Sequence, residues 1–104
     1  MYHAEEILRK VAEVRETITY SELGARLGIS HRNLGPLLDS MNRQLHARGL
    51  PMLSAVVVKK ETGMPGEGFF RLAWELGKFK AGDDARRFWQ EELGKVYRVF
   101  GRNI

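Results

Sequence analysis

The amino-acid sequence predicts a single, mainly α-helical domain carrying a small β-hairpin. Three observations point there. Apolar residues recur at helical spacing in separate stretches, a β-branched run precedes a glycine-rich segment, and glycine or proline marks the junctions between them. At 104 residues, with 43% apolar and 29% charged side chains, the chain has the length and balance of one globular domain.

Residues 1–49 predict three helices. Ile7, Leu8, Val11 and Val14 line one face of an amphipathic helix over 3–15, with Glu5 and Glu6 in its first turn and Lys10 and Arg15 toward its end. The β-branched Thr17-Ile18-Thr19 ends it. Ser21 to Leu27 forms a short second helix with Leu23 and Leu27 facing inward, Tyr20 just before it and Ser21 as its cap. Gly28-Ile29-Ser30 is a tight turn whose Ser30 caps the third helix. There Leu34, Leu37, Leu38, Met41 and Leu45 make a continuous stripe, and Arg32, Pro36, Asp39 and Arg43 project from the opposite face. A proline inside a helix costs on the order of 3 kcal/mol. The third helix is therefore expected to start near Asn33, or to be distorted in its first turn, and Gly49-Leu50-Pro51 stops it.

Residues 53–70 predict the hairpin. Leu53 to Lys60 is a β-branched strand, Glu61 to Gly68 a connecting loop, and Phe69 and Phe70 begin a return strand or anchor the loop on the core. Residues 71–100 add C-terminal helices: a turn or two around Leu72 to Leu76 ending at Gly77, then a helix capped by Asp83 and running to about Phe100. Two helices joined by a three-residue turn, then strand, glycine loop and return, describe a winged helix-turn-helix with a long C-terminal helix. Trp74, Phe88, Trp89, Tyr97 and Phe100 are expected in the core. The aromatic C-terminal helix alternatively offers a surface for a homodimer or a protein partner.

Charge narrows the function. The formal net charge is +4. Residues 1–30 carry net −1 and residues 61–104 net +1, while residues 31–60 set Arg32, Arg43, Arg48, Lys59 and Lys60 against the single Asp39. An anionic partner is therefore expected at the middle third. Absence of cysteine excludes disulfides, cysteine-ligated zinc and thiol catalysis, and it fits a reducing compartment. No apolar run approaches a membrane span and the N-terminus has no signal-peptide core, so a cytoplasmic location without membrane attachment is expected. His3, His31 and His46 have no metal-binding spacing, no cofactor motif is present, and GMPGEG is not a phosphate-binding loop because no Gly-Lys-Ser/Thr follows. Glu61, Glu67, Asp83 and Asp84 fall in loops without a spacing that supports catalysis, so no enzymatic activity is expected.

The candidate contacts are polar and basic residues around the turn and the loop. His31, Arg32 and Asn33 cluster hydrogen-bonding groups at a helix N-terminus, where duplex recognition needs them. Ser21 and Ser30 can each donate a hydroxyl to a phosphate, though both also suit capping. Tyr20 is either a phosphate contact or an aromatic at the core edge. Lys59 and Lys60 suit a wing gripping phosphates. Arg43 faces the same way as Arg32, with Asp39 between them as its i,i+4 partner.

ITYSELGARLG over 18–28, followed by RNLG at 32–35, resembles the DNA-binding helix-turn-helix of the alkylguanine-DNA alkyltransferases and alkyltransferase-like proteins. Pro51-Met52-Leu53 and the valine run sit where that family has its pro-x-leu segment, so the likeness covers residues 17–58. By position, the resemblance implies that Tyr20 presses on the phosphate backbone beside a rotated nucleotide and that Arg32 enters the base stack from the minor groove. The family's pro-cys-his-arg motif would fall at Ala55-Val56-Val57-Val58, so nucleophile, histidine and arginine are all missing and alkyl transfer is excluded. The segment from Gly35 to Pro51 is also longer than the family's, and the last helix lies outside its pattern. Leu50 to Phe69 is similar, too, to a stretch of small bacterial and phage proteins, a likeness that implies no activity.

The expected function is non-enzymatic binding of double-stranded DNA through Tyr20, Ser21, Ser30, His31, Arg32, Asn33, Arg43, Lys59 and Lys60. The alternative is a protein-interaction adaptor or inhibitor, of phage or host-defence type, that uses the same fold and the aromatic helix.

Overall fold

The computed structural model describes residues 3–102. It is mainly helical: α1 (His3–Glu13), β1 (Ile18–Thr19), α2 (Tyr20–Leu27), α3 (His31–Ala47), a 3-10 turn (Leu53–Val56), β2 (Val57–Val58), α4 (Glu67–Glu75) and α5 (Ala85–Phe100). No helix among the described residues is long and apolar enough to cross a membrane.

The first half follows the expected order. Ala4, Leu8 and Ala12 bury the inner face of α1, whereas Val14 lies beyond its end and is exposed. Arg15 adopts a left-handed φ of 57° there, and the Glu16 N–H closes back on the Val11 carbonyl. Thr19, not Ser21, caps α2. Its hydroxyl accepts from the Glu22 N–H at 3.1 Å while the Glu22 carboxylate accepts from the Thr19 N–H, and Tyr20 becomes the first helical residue. These hydrogen bonds hold the Glu22 carboxyl below its ordinary pKa.

Gly28 ends α2 with φ 69°, a conformation that disfavours other residues. Gly24 lets the next turn close in, because a Cβ on it would lie 3.0 Å from the Ile29 carbonyl oxygen. Ser30 holds the N-cap position of α3 without a side-chain cap bond, and the helix begins at His31 with Pro36 inside it. The expected start at Asn33 is thus corrected. The Asn33 N–H bonds Ser30 in a tightened first turn. Arg32 and Pro36 are both exposed, so the Arg32 carbonyl deprived of its Pro36 donor lies on the wet side of the helix.

The expected strand over Leu53–Lys60 and its hairpin partner are replaced. Leu53–Val56 is a 3-10 turn, and only Val57–Val58 pairs, in parallel, with Ile18–Thr19 (Ile18 to Val57, Thr19 to Val58). Two residues pair because β1 itself is two residues long, confined by α2. Every side chain from Leu53 to Val58 is buried, so the apolar run reflects depth in the core rather than strand length. Beyond it, the Lys59 N–H donates to the Met64 carbonyl and the Gly63 N–H to the Lys59 carbonyl, closing a compact turn. Pro65 has no ladder donor, and the chain enters α4, where Phe69, Leu72 and Ala73 bury a helical stripe. Phe69 and Phe70 therefore anchor the core from a helix, not from a return strand.

Asp84, one residue after the expected Asp83, caps α5. Trp89 Nε1 donates to the Ala55 carbonyl at 2.8 Å, and the Met52 N–H donates to the Glu92 carboxylate at 2.9 Å. These ties dock α5 on the 3-10 turn. Glu92 is 1% exposed and also pairs with Lys78 Nζ at 2.7 Å, which satisfies the buried carboxylate. Phe69, Phe70, Phe79 and Phe88 cluster with centroids 5.1–6.4 Å apart and join α4 to the start of α5. Trp89 is core, and Phe88, Tyr97 and Phe100 pack against it. Trp74 departs from expectation: at 54% exposure it stands on the surface.

Candidate nucleic-acid interface

An open groove of about 820 Å³ runs between α3 and the start of α4. That volume lies in the range of ligand sites. Tyr20, His31, Arg43 and Lys59, four of the sequence-predicted residues, line it together with Gly35, Gly68 and Arg71. None of the lining residues belongs to α5, so the last helix leaves the groove uncovered.

Each side chain reaches the groove by a local cause. Tyr20 opens α2, and its hydroxyl accepts the Gly66 N–H at 2.9 Å, which holds the N-terminal end of α4 beside α2. Burial raises the Tyr20 pKa above its ordinary 10.0, opposed by that hydrogen bond. Ser21 Oγ lies 3.3 Å from His31 Nε2, tying the first turn of α2 to that of α3. Lys59 follows β2 and lies along Gly66, where a Cβ would meet its Cε at 3.3 Å. Arg71 comes from the exposed face of α4, one turn beyond Gly68.

Two helix N-termini open on the groove. Neither Ser30 of α3 nor Gly66 of α4 makes a side-chain cap bond; no acidic residue lies in the first turn of α3, which leaves its partial positive charge for an anion, whereas Glu67 lies in that of α4. A Cβ placed on Gly35 or Gly68 would meet nothing within 4 Å, so both walls present bare backbone to whatever enters. At the base, buried Asn42 and Ser54 satisfy each other through Asn42 Nδ2 to Ser54 Oγ at 2.6 Å.

The charges sort into two groups. Arg43 is held by Asp39, one turn before it, and by Glu75 of α4, and these partners raise its pKa. It serves as a clamp between α3 and α4. Lys59, Lys60, Arg32 and Arg71 are exposed and make no ion pair among the described residues. Glu22, across the turn from Arg32, is engaged by Thr19.

The other expected contacts fall around this groove or away from it. Ser30 and Arg32 are exposed at the N-terminal end of α3, and Arg32 shares a face with groove-lining Pro36 and Asp39. Asn33 is exposed at the same end of α3 but does not line the groove. Lys60 lies on the adjoining turn without lining the groove. Sequence reasoning missed Arg71, because it predicts the helix only around Leu72 to Leu76, with Phe69 and Phe70 as a return strand or a loop anchor. Read as helix, Gly68, Arg71, Leu72 and Glu75 fall at i, i+3, i+4 and i+7, which places Arg71 on the face toward α3.

Ala55 to Val58, where the alkyltransferase motif would fall, is buried hydrocarbon beneath this site. Among the described residues no three His, Asp or Glu side chains gather to hold a metal ion, and the side chain of His3 lies outside those described. Compared with protein-family models, curated proteins and solved structures, the chain matches none.

Proposed function

We propose that the protein binds duplex DNA without chemistry, laying the N-terminal end of α3 against it and gripping phosphates with the Lys59–Gly66 turn in the place of a wing. The observation that carries this reading is the convergence of two uncapped helix N-termini with Lys59 and Arg71 on one uncovered groove. Ser30, His31 and Arg32 then meet the backbone and base edges, while Lys59, Lys60 and Arg71 supply affinity through phosphates. The resemblance of 17–58 to the alkyltransferase helix-turn-helix supports the use of Arg32 at the DNA. Tyr20 contributes mainly by fixing α4, since its hydroxyl is already engaged. The positive charge is modest, and a homodimer would raise affinity by doubling the contacts.

Four unpaired cations predict a log–log salt slope of about −3.6 for duplex binding. Gel shifts of duplex and single-stranded DNA at two salt concentrations test this. Binding that does not respond to salt refutes the proposal.

A further inference from the structure

A second cleft of about 360 Å³ lies where the chain leaves α3 and meets the last turns of α5. It shares no residue with the groove. Lys78, Lys95 and Arg98 line it, and no carboxylate does among the described residues. The nearest acid is Glu92, buried behind it at 1% exposure. One of its oxygens already takes Lys78 at 2.7 Å and the Met52 N–H, while its other oxygen lies 3.9 Å from Lys95. Arg98 has no ion-pair partner among the described residues. The cleft is therefore net positive.

Its floor and wall are apolar. Leu50 and Pro51 form one side, and Val99, half exposed at 50%, stands one residue from Arg98 and one turn from Lys95. A bare phosphate gains nothing from that hydrocarbon, and phosphate backbones are recognised by cations and N–H groups. A ligand that matches both features carries carboxylates beside an apolar side chain. We infer that this cleft docks an acidic peptide segment of a protein partner, with an apolar side chain seated on Leu50, Pro51 and Val99 and carboxylates paired to Lys95 and Arg98. Charge complementarity selects the occupant, and the exposed valine supplies the desolvated centre that a small interface needs. The site is independent of the DNA reading and gives the protein a second face on which to hold a partner.

The probe is a fluorescein-labelled peptide of alternating acidic and leucine residues, titrated into the full chain by anisotropy and by amide chemical shifts. The expected result is that shifts concentrate at Leu50, Lys95, Arg98 and Val99. The double substitution Lys95→Gln/Arg98→Gln is expected to weaken the peptide about tenfold or more without changing duplex DNA binding or thermal stability. An isosteric peptide carrying amides in place of carboxylates is expected to lose binding to a similar extent. Shifts confined to the α3–α4 groove, an unchanged peptide affinity in the double variant, or displacement of the peptide from this cleft by duplex DNA overturns the assignment.

Discussion

Arg43 lines the groove proposed to take DNA, yet its charge is already paired by Asp39 and Glu75. The structure therefore makes opposite predictions for two neighbouring arginines. Removing Arg71, which is unpaired, deletes one phosphate contact and moves the salt slope from about −3.6 to about −2.7. Freeing Arg43 by Asp39→Asn/Glu75→Gln adds one and moves it to about −4.5. Between 50 and 200 mM salt these slopes correspond to affinity losses of roughly 150-fold for the unaltered protein, 40-fold for Arg71→Ala and 500-fold for the double variant. Both changes are on exposed side chains, where a surface ion pair contributes about 1 kcal/mol or less to stability, so folding is expected to persist. Fluorescence anisotropy on one duplex across a salt series measures all three slopes. A double variant whose slope does not steepen refutes the assignment of Arg43 as a masked charge, and an Arg71→Ala slope equal to the parent's removes α4 from the interface.

Glu92→Ala leaves the buried Met52 N–H without an acceptor and Lys78 without its partner. A loss of about 3–4 kcal/mol is expected, at the low end for a broken buried pair because Lys78 retains 19% exposure. Calorimetry should show a fall in Tm of roughly 15 °C or more. Tyr20→Phe frees the Gly66 N–H and is expected to cost about 1 kcal/mol in denaturant unfolding. Because the folded state raises the Tyr20 pKa above its ordinary 10.0, the unfolded chain gives up the phenolic proton first. The associated stability is intact below that pH and lost as pH rises through the folded value, so the Phe variant should show a shallower alkaline decline than the parent. Gly35→Ala meets open space and removes a helix-interior glycine, so thermal melts should report a gain of up to about 1 kcal/mol, while Gly35→Leu fills the groove and should weaken duplex binding.

The helical half of the molecule was legible because period and punctuation agree: Leu34, Leu38, Met41 and Leu45 are buried as their spacing implies, and Gly28 closes α2 as its turn requires. Pro36 misled: the helix runs through it, with Arg32, whose carbonyl loses its donor, on the exposed side. The run from Leu53 to Val58 misled for a different reason. Complete burial erases the alternation that separates strand from irregular core, and the parallel partner at Ile18 lies too far away in sequence to be read locally. That error started the helix near Leu72 instead of Glu67 and so left Arg71 outside it. Tyr20, His31 and Lys59 were found because each sits beside a turn whose residues declare it. The masking of Arg43 by Asp39 was visible as an i,i+4 pair, whereas its second partner, Glu75, is brought there only by the fold.

The two-residue ladder has a bearing on how the protein matures. Ile18 meets Val57 across the whole span of α2 and α3, so the seam is a long-range contact that closes a loop containing both helices. A piece of the protein ending near Gly49 would retain every residue of the helix pair yet leave the Ile18 edge open beside Leu23. The helix pair is thus not portable: the valines that complete its seam come from beyond it.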